Sequence, residues 1–190
     1  MAAEAGLTLV LGGSRSGKSR WAESLASRSG RPVLYVATAA ARPGDAAWSE
    51  RLAQHRLRRP EHWGCLECGM ALSETLQRLQ QPHHPQGDHL LLIDSLGTWL
   101  AQHLEATAEA WQRIEAELVE SLRLQPAPVL LVCEEVGLGV VPATAVGNLF
   151  RDRMGALQQR LMEQACASWL VVAGRALDLH ALGHPVPNLP

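Results

Sequence analysis

The chain has 190 residues, of which 47% are hydrophobic and 19% charged, with a formal net charge of −2. A chain of this length can bury about 70% of its unfolded surface, so the composition excludes general disorder, and the charge excludes a whole-chain basic footprint for nucleic acid. Four cysteines are too few and too scattered for a disulfide framework.

The longest apolar runs, LLLI at 90–93 and VLLVC at 129–133, fall far short of the roughly 20 residues that a membrane helix needs. The opening MAAEAGLTLVLGG has no basic start before its apolar run and does not read as a signal peptide. The expected address is the cytoplasm. One asymmetry stands out. Of the 17 Lys and Arg residues, 16 are Arg and only Lys18 is Lys.

Short apolar runs alternate with long amphipathic stretches. Leu7 to Leu11 reads as a buried strand that stops at Gly12, and Lys18 to Ser29 as a helix closed by Gly30. Val33 to Thr38 is a second strand. Asp45 can cap a helix running to about Arg58, because Pro60 disfavours helical geometry at Arg59. Ala71 to Gln80 reads as helix, and PHHPQGDH after it as a loop. Leu90 to Asp94 is a third strand, and a helix starts near Leu96. Thr107 to Leu124 is a long helix with acidic residues early and Arg123 late. Val129 to Cys133 is a fourth strand, Ala145 to Cys166 contains another long helix, and Trp169 to Ala173 is a fifth strand. The tail GHPVPNLP reads as irregular. Strands alternating with helices predict one α/β domain over 1–190, with a mostly parallel sheet flanked by helices.

The first strand runs into GGSRSGKS at 12–19, which fits the phosphate-loop pattern through Gly12, Gly17, Lys18 and Ser19. Glycines let backbone N–H groups curl around phosphate oxygens, and the following helix N-terminus adds positive potential. Gly13, Ser14, Arg15 and Ser16 complete the loop, with Arg15 a candidate extra clamp. Lys18 is the candidate for the β- and γ-phosphates. A compact ammonium fits between phosphates where a forked guanidinium does not, so the single Lys stands where Arg would fail. Ser19 is a candidate Mg²⁺ ligand. Asp94, ending the third strand, is the second, acting through water; capping the next helix is another reading of it, and the two roles are compatible.

Residues 50–63 read ERLAQHRLRRPEHW. On a helix, Arg51, His55 and Arg58 or Arg59 share one stripe, while Trp48, Leu52 and His55 share an apolar face. Spacing leaves two readings of His55 open: a packed histidine beside solvated arginines, or a nucleophile that attacks phosphorus, with the arginines binding the nucleotide. The segment EEVGLGVVP makes a loop at the sheet's C-terminal edge, where α/β proteins bind ligands. Its Glu135, Gly137 and Gly139, with Arg151 beyond, are candidate substrate contacts. Arg151 can instead pair with Asp152. Cys65 and Cys68 form a lone C-x-x-C, short of a zinc ligand set.

Together these blocks resemble the CobU family, the bifunctional adenosylcobinamide kinase/adenosylcobinamide-phosphate guanylyltransferases of cobalamin biosynthesis. The resemblance runs from about Leu7 to His180. It rests on GGSRSGKSRWAE, YVAT at 35–38, RLAQHRLRRPEHW, LLLIDSLGTWL, EVGLGVVP at 135–142, LFRDRMG at 149–155 and WLVVAG at 169–174. It implies a RecA-like P-loop fold and a homotrimer. It implies phosphorylation of the aminopropanol hydroxyl of adenosylcobinamide by ATP or GTP, then transfer of GMP from GTP, giving adenosylcobinamide-GDP and pyrophosphate. It also implies that His55 carries the GMP, and that Thr38, Arg51, Arg56 and Arg59 join the phosphate loop and Asp94 in the nucleotide site. Mg²⁺ accompanies the nucleotide, with no permanently bound cofactor, no nucleic acid and no membrane span. Four positions depart from the family pattern. Glu134 stands where Asn usually precedes Glu-Val-Gly, Gln158 replaces an Asn, and Asn148 and Leu149 replace basic residues. The readings outside this scheme are a plain P-loop small-molecule kinase with a structural His55, and a nucleotide-binding module without catalysis.

Overall fold

Continuous apolar runs fold into strands covered on both faces. In a computed structural model of the chain, which describes residues 6–39, 44–57 and 59–187, seven strands form one sheet. The side chains at 47–49, 51, 54 and 55 also lie outside the described set. The strands are β1 (Leu7–Gly12), β2 (Val33–Ala37), β3 (Gly64–Glu67), β4 (Leu90–Asp94), β5 (Val129–Glu134), β6 (Ala165–Val172) and β7 (Arg175–Asp178). Their spatial order is β3-β2-β4-β5-β1-β6-β7, with every pair parallel except β6–β7. The helices are α1 (Lys18–Arg28), α2 (Ala46–Leu57), α3 (Leu72–Leu79), α4 (Leu96–Leu100), α5 (Ala108–Arg123), α6 (Ala145–Gln164) and α7 (Leu179–Leu182).

Side chains alternate across each strand, and this splits the core in two. Leu9, Leu11, Leu34, Val36, Leu91 and Ile93 pack under α3, α4, α5 and α6 with Leu76, Trp99, Leu118 and Leu157. Their neighbours Val10, Val33, Tyr35, Leu90 and Leu92 face the other way, onto Ala22, Leu25 and Ala26 of α1. Arg153 of α6 is buried and donates to the carbonyls of His103 (2.9 Å) and Ala106 (2.7 Å), with its guanidinium over Trp111. It ties the segment after α4 to α6.

Two strands differ from the sequence-based expectation. β3, with the sequence GCLE, alternates half-buried and exposed at the sheet edge, so it lacks the apolar run that marks a buried strand. β7 forms a hairpin with β6 through Ala173 and Gly174, both at positive φ (49° and 74°), as a tight two-residue turn requires. β6 itself begins at Ala165, four residues before the expected Trp169.

The connection leaving β1 crosses toward β2 and places α1 on one face. The connection leaving β5 crosses β1 toward β6 and places α6 on the other. Right-handed crossovers running in opposite directions must lie on opposite faces. A crevice therefore opens at the C-terminal ends of β1, β5 and β4, where ligands bind in such sheets.

Candidate nucleotide-binding active site

The crevice holds a cavity of about 350 Å³ lined by Ser14, Lys18, Ser19, Tyr35, Leu52, Arg59, Asp94, Ser95, Glu134, Glu135, Val136 and Phe150, among others. The phosphate loop forms one wall. Gly12 ends β1, and a Cβ there would lie 2.6 Å from the Val171 carbonyl and 2.5 Å from Ser16 Oγ, so only glycine fits. Gly17 has φ 101°, the left-handed region that glycine enters without strain. The Gly174 N–H of the β6–β7 turn donates to the Ser16 carbonyl (3.0 Å) and braces the loop from below. Lys18 is the first residue of α1. Its stem is buried and its Nζ donates to the Gly13 carbonyl at 3.4 Å, a bond a phosphate oxygen could replace. Arg15 is exposed, with φ 57°.

Asp94 faces the loop from the end of β4, and the Tyr35 hydroxyl donates to its Oδ2 at 2.9 Å. Burial, then the charge of Asp94, raises the Tyr35 pKa far above the ordinary phenol value, so this donor keeps its proton. The Arg59 guanidinium lies over the Tyr35 ring, 3.3 Å from its centroid. Asp94 does not cap the following helix. Ser95 does: its Oγ accepts from the Thr98 N–H, and Thr98 Oγ1 accepts from the Ser95 N–H in return.

Glu134 ends β5 opposite Gly12 in the register, between the phosphate loop and Asp94. Its Oε2 accepts from the Gly97 N–H at 2.7 Å. Burial raises its pKa above the ordinary carboxylate value, with the Ser95 hydroxyl and Lys18 opposing and Asp94 adding to the rise. Two of the four unusual positions meet here, since Gln158 Nε2 donates to the Glu134 carbonyl at 2.9 Å.

The site thus gathers Ser14, Lys18, Ser19, Arg59, Asp94 and Glu135 as the sequence suggested. Thr38 is different. It is fully buried, and its hydroxyl accepts from the Ser95 N–H (2.8 Å) and donates to the Ser95 carbonyl (2.7 Å), so it holds the turn after β4 and has no surface for a nucleotide. Arg56 pairs with Glu67 on the exposed surface and does not line the cavity. Arg151 neither pairs with Asp152 in the described contacts nor faces the cavity. It donates to the Gly137 carbonyl at 2.7 Å. Gly137 and Gly139 are exposed beyond the cavity mouth. The side chains of Arg51 and His55, and residue 58 entirely, lie outside the described residues. Tyr35, Gly97 and Glu134 have no local signal as site residues. Only the pairing of β2, β4 and β5 brings them to one edge.

The CobU family profile, described as cobinamide kinase / cobinamide phosphate guanyltransferase, matches residues 8–179. The chain belongs to this family. It is 41% identical over 174 residues to the bifunctional adenosylcobalamin biosynthesis protein CobP of Pseudomonas aeruginosa, covering 90% of this chain and 95% of the relative. It is 35% identical to the bifunctional adenosylcobalamin biosynthesis protein CobU of Escherichia coli, covering 88% and 96%. Among solved structures, it resembles a Pyrococcus horikoshii protein at TM-score 0.55 with 6% identity, covering 94% of this chain and 87% of that one. It also resembles an ATPase of a bacterial type III secretion system at TM-score 0.54 with 9% identity, covering 95% and 59%. At such identities these likenesses show the fold alone, a mostly parallel sheet flanked by helices. No helix among the described residues is long and apolar enough to cross a membrane.

Proposed function

We propose that this chain phosphorylates the aminopropanol hydroxyl of adenosylcobinamide and then transfers GMP from GTP to that phosphate, giving adenosylcobinamide-GDP and pyrophosphate. The observation that carries this is one cavity in which a phosphate loop faces a strand-end carboxylate, inside a chain that matches the CobU family over residues 8–179.

In the kinase step the substrate hydroxyl oxygen attacks the γ-phosphorus of ATP or GTP and releases its proton to solvent, the bond to the β-bridging oxygen breaks, and a nucleoside diphosphate leaves. Backbone N–H groups of residues 13–19 bind the phosphates, and Lys18 offsets charge on the leaving oxygens. Ser19 and Asp94 both line the cavity and offer hard oxygen donors, the type Mg²⁺ prefers, so they are the residues that would hold it. Bound there, Mg²⁺ would neutralise phosphate charge and orient the leaving group. Tyr35 fixes Asp94 for that role.

In the second step a nitrogen of His55 attacks the α-phosphorus of GTP, a P–N bond forms, and pyrophosphate leaves. An oxygen of the substrate phosphate then displaces the histidine. Support comes from α2 and the turn after it: Leu52 of α2 and Arg59 just beyond its end line the cavity, and His55 lies between them in sequence. Arg51 and Arg59 are the phosphate contacts of this step. The homotrimer, the cytoplasmic location and the extent of the single domain (1–190) belong to the same proposal.

Incubation with Mg²⁺ and GTP labelled on the α-phosphate tests the route. An acid-labile, base-stable protein adduct should form in the wild type and be absent from His55→Ala. An unlabelled wild type, under conditions where it phosphorylates adenosylcobinamide, would leave a kinase alone.

A further inference from the structure

The cavity, at about 350 Å³, is at the small end for ligand sites, and the reading above already asks it to admit phosphates and the hydroxyl they react with. A corrinoid carries that hydroxyl on a short arm attached to a broad macrocycle whose rim bears methyl groups between its amide arms. The macrocycle cannot follow the arm inside. It must rest on whatever surface surrounds the mouth.

One side of that mouth is unusual. Segment 136–146, VGLGVVPATAV, contains no charged residue. Val136 lines the cavity, and so does Phe150 of α6. Outward from Val136, Leu138 is 81% exposed, Val140 95%, Val141 65% and Val146 55%. Apolar residues scattered singly need no explanation, but several in one uncharged segment beside a site mark a contact surface.

The segment is also held in place. Arg151 donates to the Gly137 carbonyl (2.7 Å), and the Gly137 N–H donates to Glu135 Oε1 (2.6 Å). Asn148 Nδ2 donates to the Pro142 carbonyl (3.1 Å), and Thr144 caps α6 by accepting from the Gly147 N–H (3.2 Å). A Cβ on Gly147 would lie 2.6 Å from Pro142 Cβ, so glycine there lets the loop fold back onto α6. Every one of these bonds uses polar groups of the loop and leaves its apolar side chains facing outward.

We propose that Leu138, Val140 and Val141 form a preorganised platform for the methyl-bearing rim of the corrin ring, from which the aminopropanol arm passes Val136 and Phe150 to reach the phosphates. The inference rests on the corrinoid reading above. It also gives Arg151 and Asn148 a role as positioning residues that hold the platform, without contact to nucleotide. A platform that is already ordered binds without a further ordering cost.

The test is equilibrium binding of cobinamide and, separately, of Mg²⁺-GTP to the full chain, with molar mass in solution measured by light scattering. Leu138→Ser with Val140→Ser removes two exposed apolar groups and leaves the core untouched. Cobinamide affinity should fall tenfold or more, since each such side chain loses most of its burial energy. Mg²⁺-GTP affinity should stay within twofold of wild type. The conservative pair Leu138→Met with Val140→Ile should bind cobinamide like wild type. Unchanged cobinamide affinity in the serine variant would overturn the platform. A changed molar mass with unchanged cobinamide affinity would also overturn it, and would assign the patch to contacts between copies of the chain. A wild type that binds Mg²⁺-GTP but no cobinamide would refute the corrinoid reading itself, and the platform with it.

Discussion

Replacing Gly97 by alanine puts a methyl group 2.7 Å from Glu134 Cδ and 3.1 Å from its Cγ. Backbone cannot yield there, but a carboxylate at the end of a side chain can. Glu134 must swing away, and the 2.7 Å bond from the Gly97 N–H to Oε2 is lost. A hydrogen bond to an ionisable acceptor is worth about 1–3 kcal/mol. Alanine in place of a helical glycine returns up to about 1 kcal/mol. The net loss in the wild-type background is therefore about 0–3 kcal/mol, a fall in Tm of up to roughly ten degrees for a chain of this size. In a Glu134→Ala background the obstruction and the bond are both gone. Gly97→Ala should then be neutral or stabilising. The decisive quantity is the coupling from the double-mutant cycle, about 1–3 kcal/mol, read from urea unfolding of the four proteins. Additivity within about 0.5 kcal/mol would refute the contact and the placement of Glu134 against α4.

Glu134→Gln separates charge from shape. Because burial raises the Glu134 pKa above its ordinary 4.5, the folded state holds a proton that the unfolded state releases, so wild-type stability falls as pH rises from 4.5 upward. Unfolding free energies measured across pH should show the wild type losing ground to Glu134→Gln over that window, and parallel curves would contradict it. Lys18→Arg should keep the fold and lose most turnover, because the fork cannot occupy the buried slot between phosphates. Near-normal kcat would remove Lys18 from its assigned role. Tyr35→Phe deletes the donor to Asp94 and should shift the Mg²⁺ titration of activity to higher concentration; an unchanged titration would separate Asp94 from the metal. Arg153→Met leaves the carbonyls of His103 and Ala106 without their donor and should cost about 2–4 kcal/mol by urea unfolding.

The phosphate loop was legible from the sequence because its requirements are local. Gly12, Gly17, Lys18 and Ser19 act through backbone shape and a helix end that follow directly from chain order. The solitary lysine among arginines pointed to the same place, and the structure buries its stem while aiming its amine into the loop. The five main strands were legible because parallel strands buried on both faces leave continuous apolar runs. β3 and β7 were not, because GCLE and RALD carry polar residues that only edge positions tolerate.

What only the tertiary structure decided is which polar groups converge. Asp94 could have capped a helix, but Ser95 takes the cap, and Asp94 accepts from the Tyr35 hydroxyl. Thr38 and Arg56 sit in blocks that look functional, yet one is buried under a turn and the other pairs at the surface. Glu134 looked like a departure of unknown consequence until β5 placed it between the phosphate loop and Asp94. Strand order causes this. The sequence shows that the runs at 90–94 and 129–134 end in carboxylates, but whether two such ends are neighbours depends on crossovers that span dozens of residues, and no local pattern encodes them.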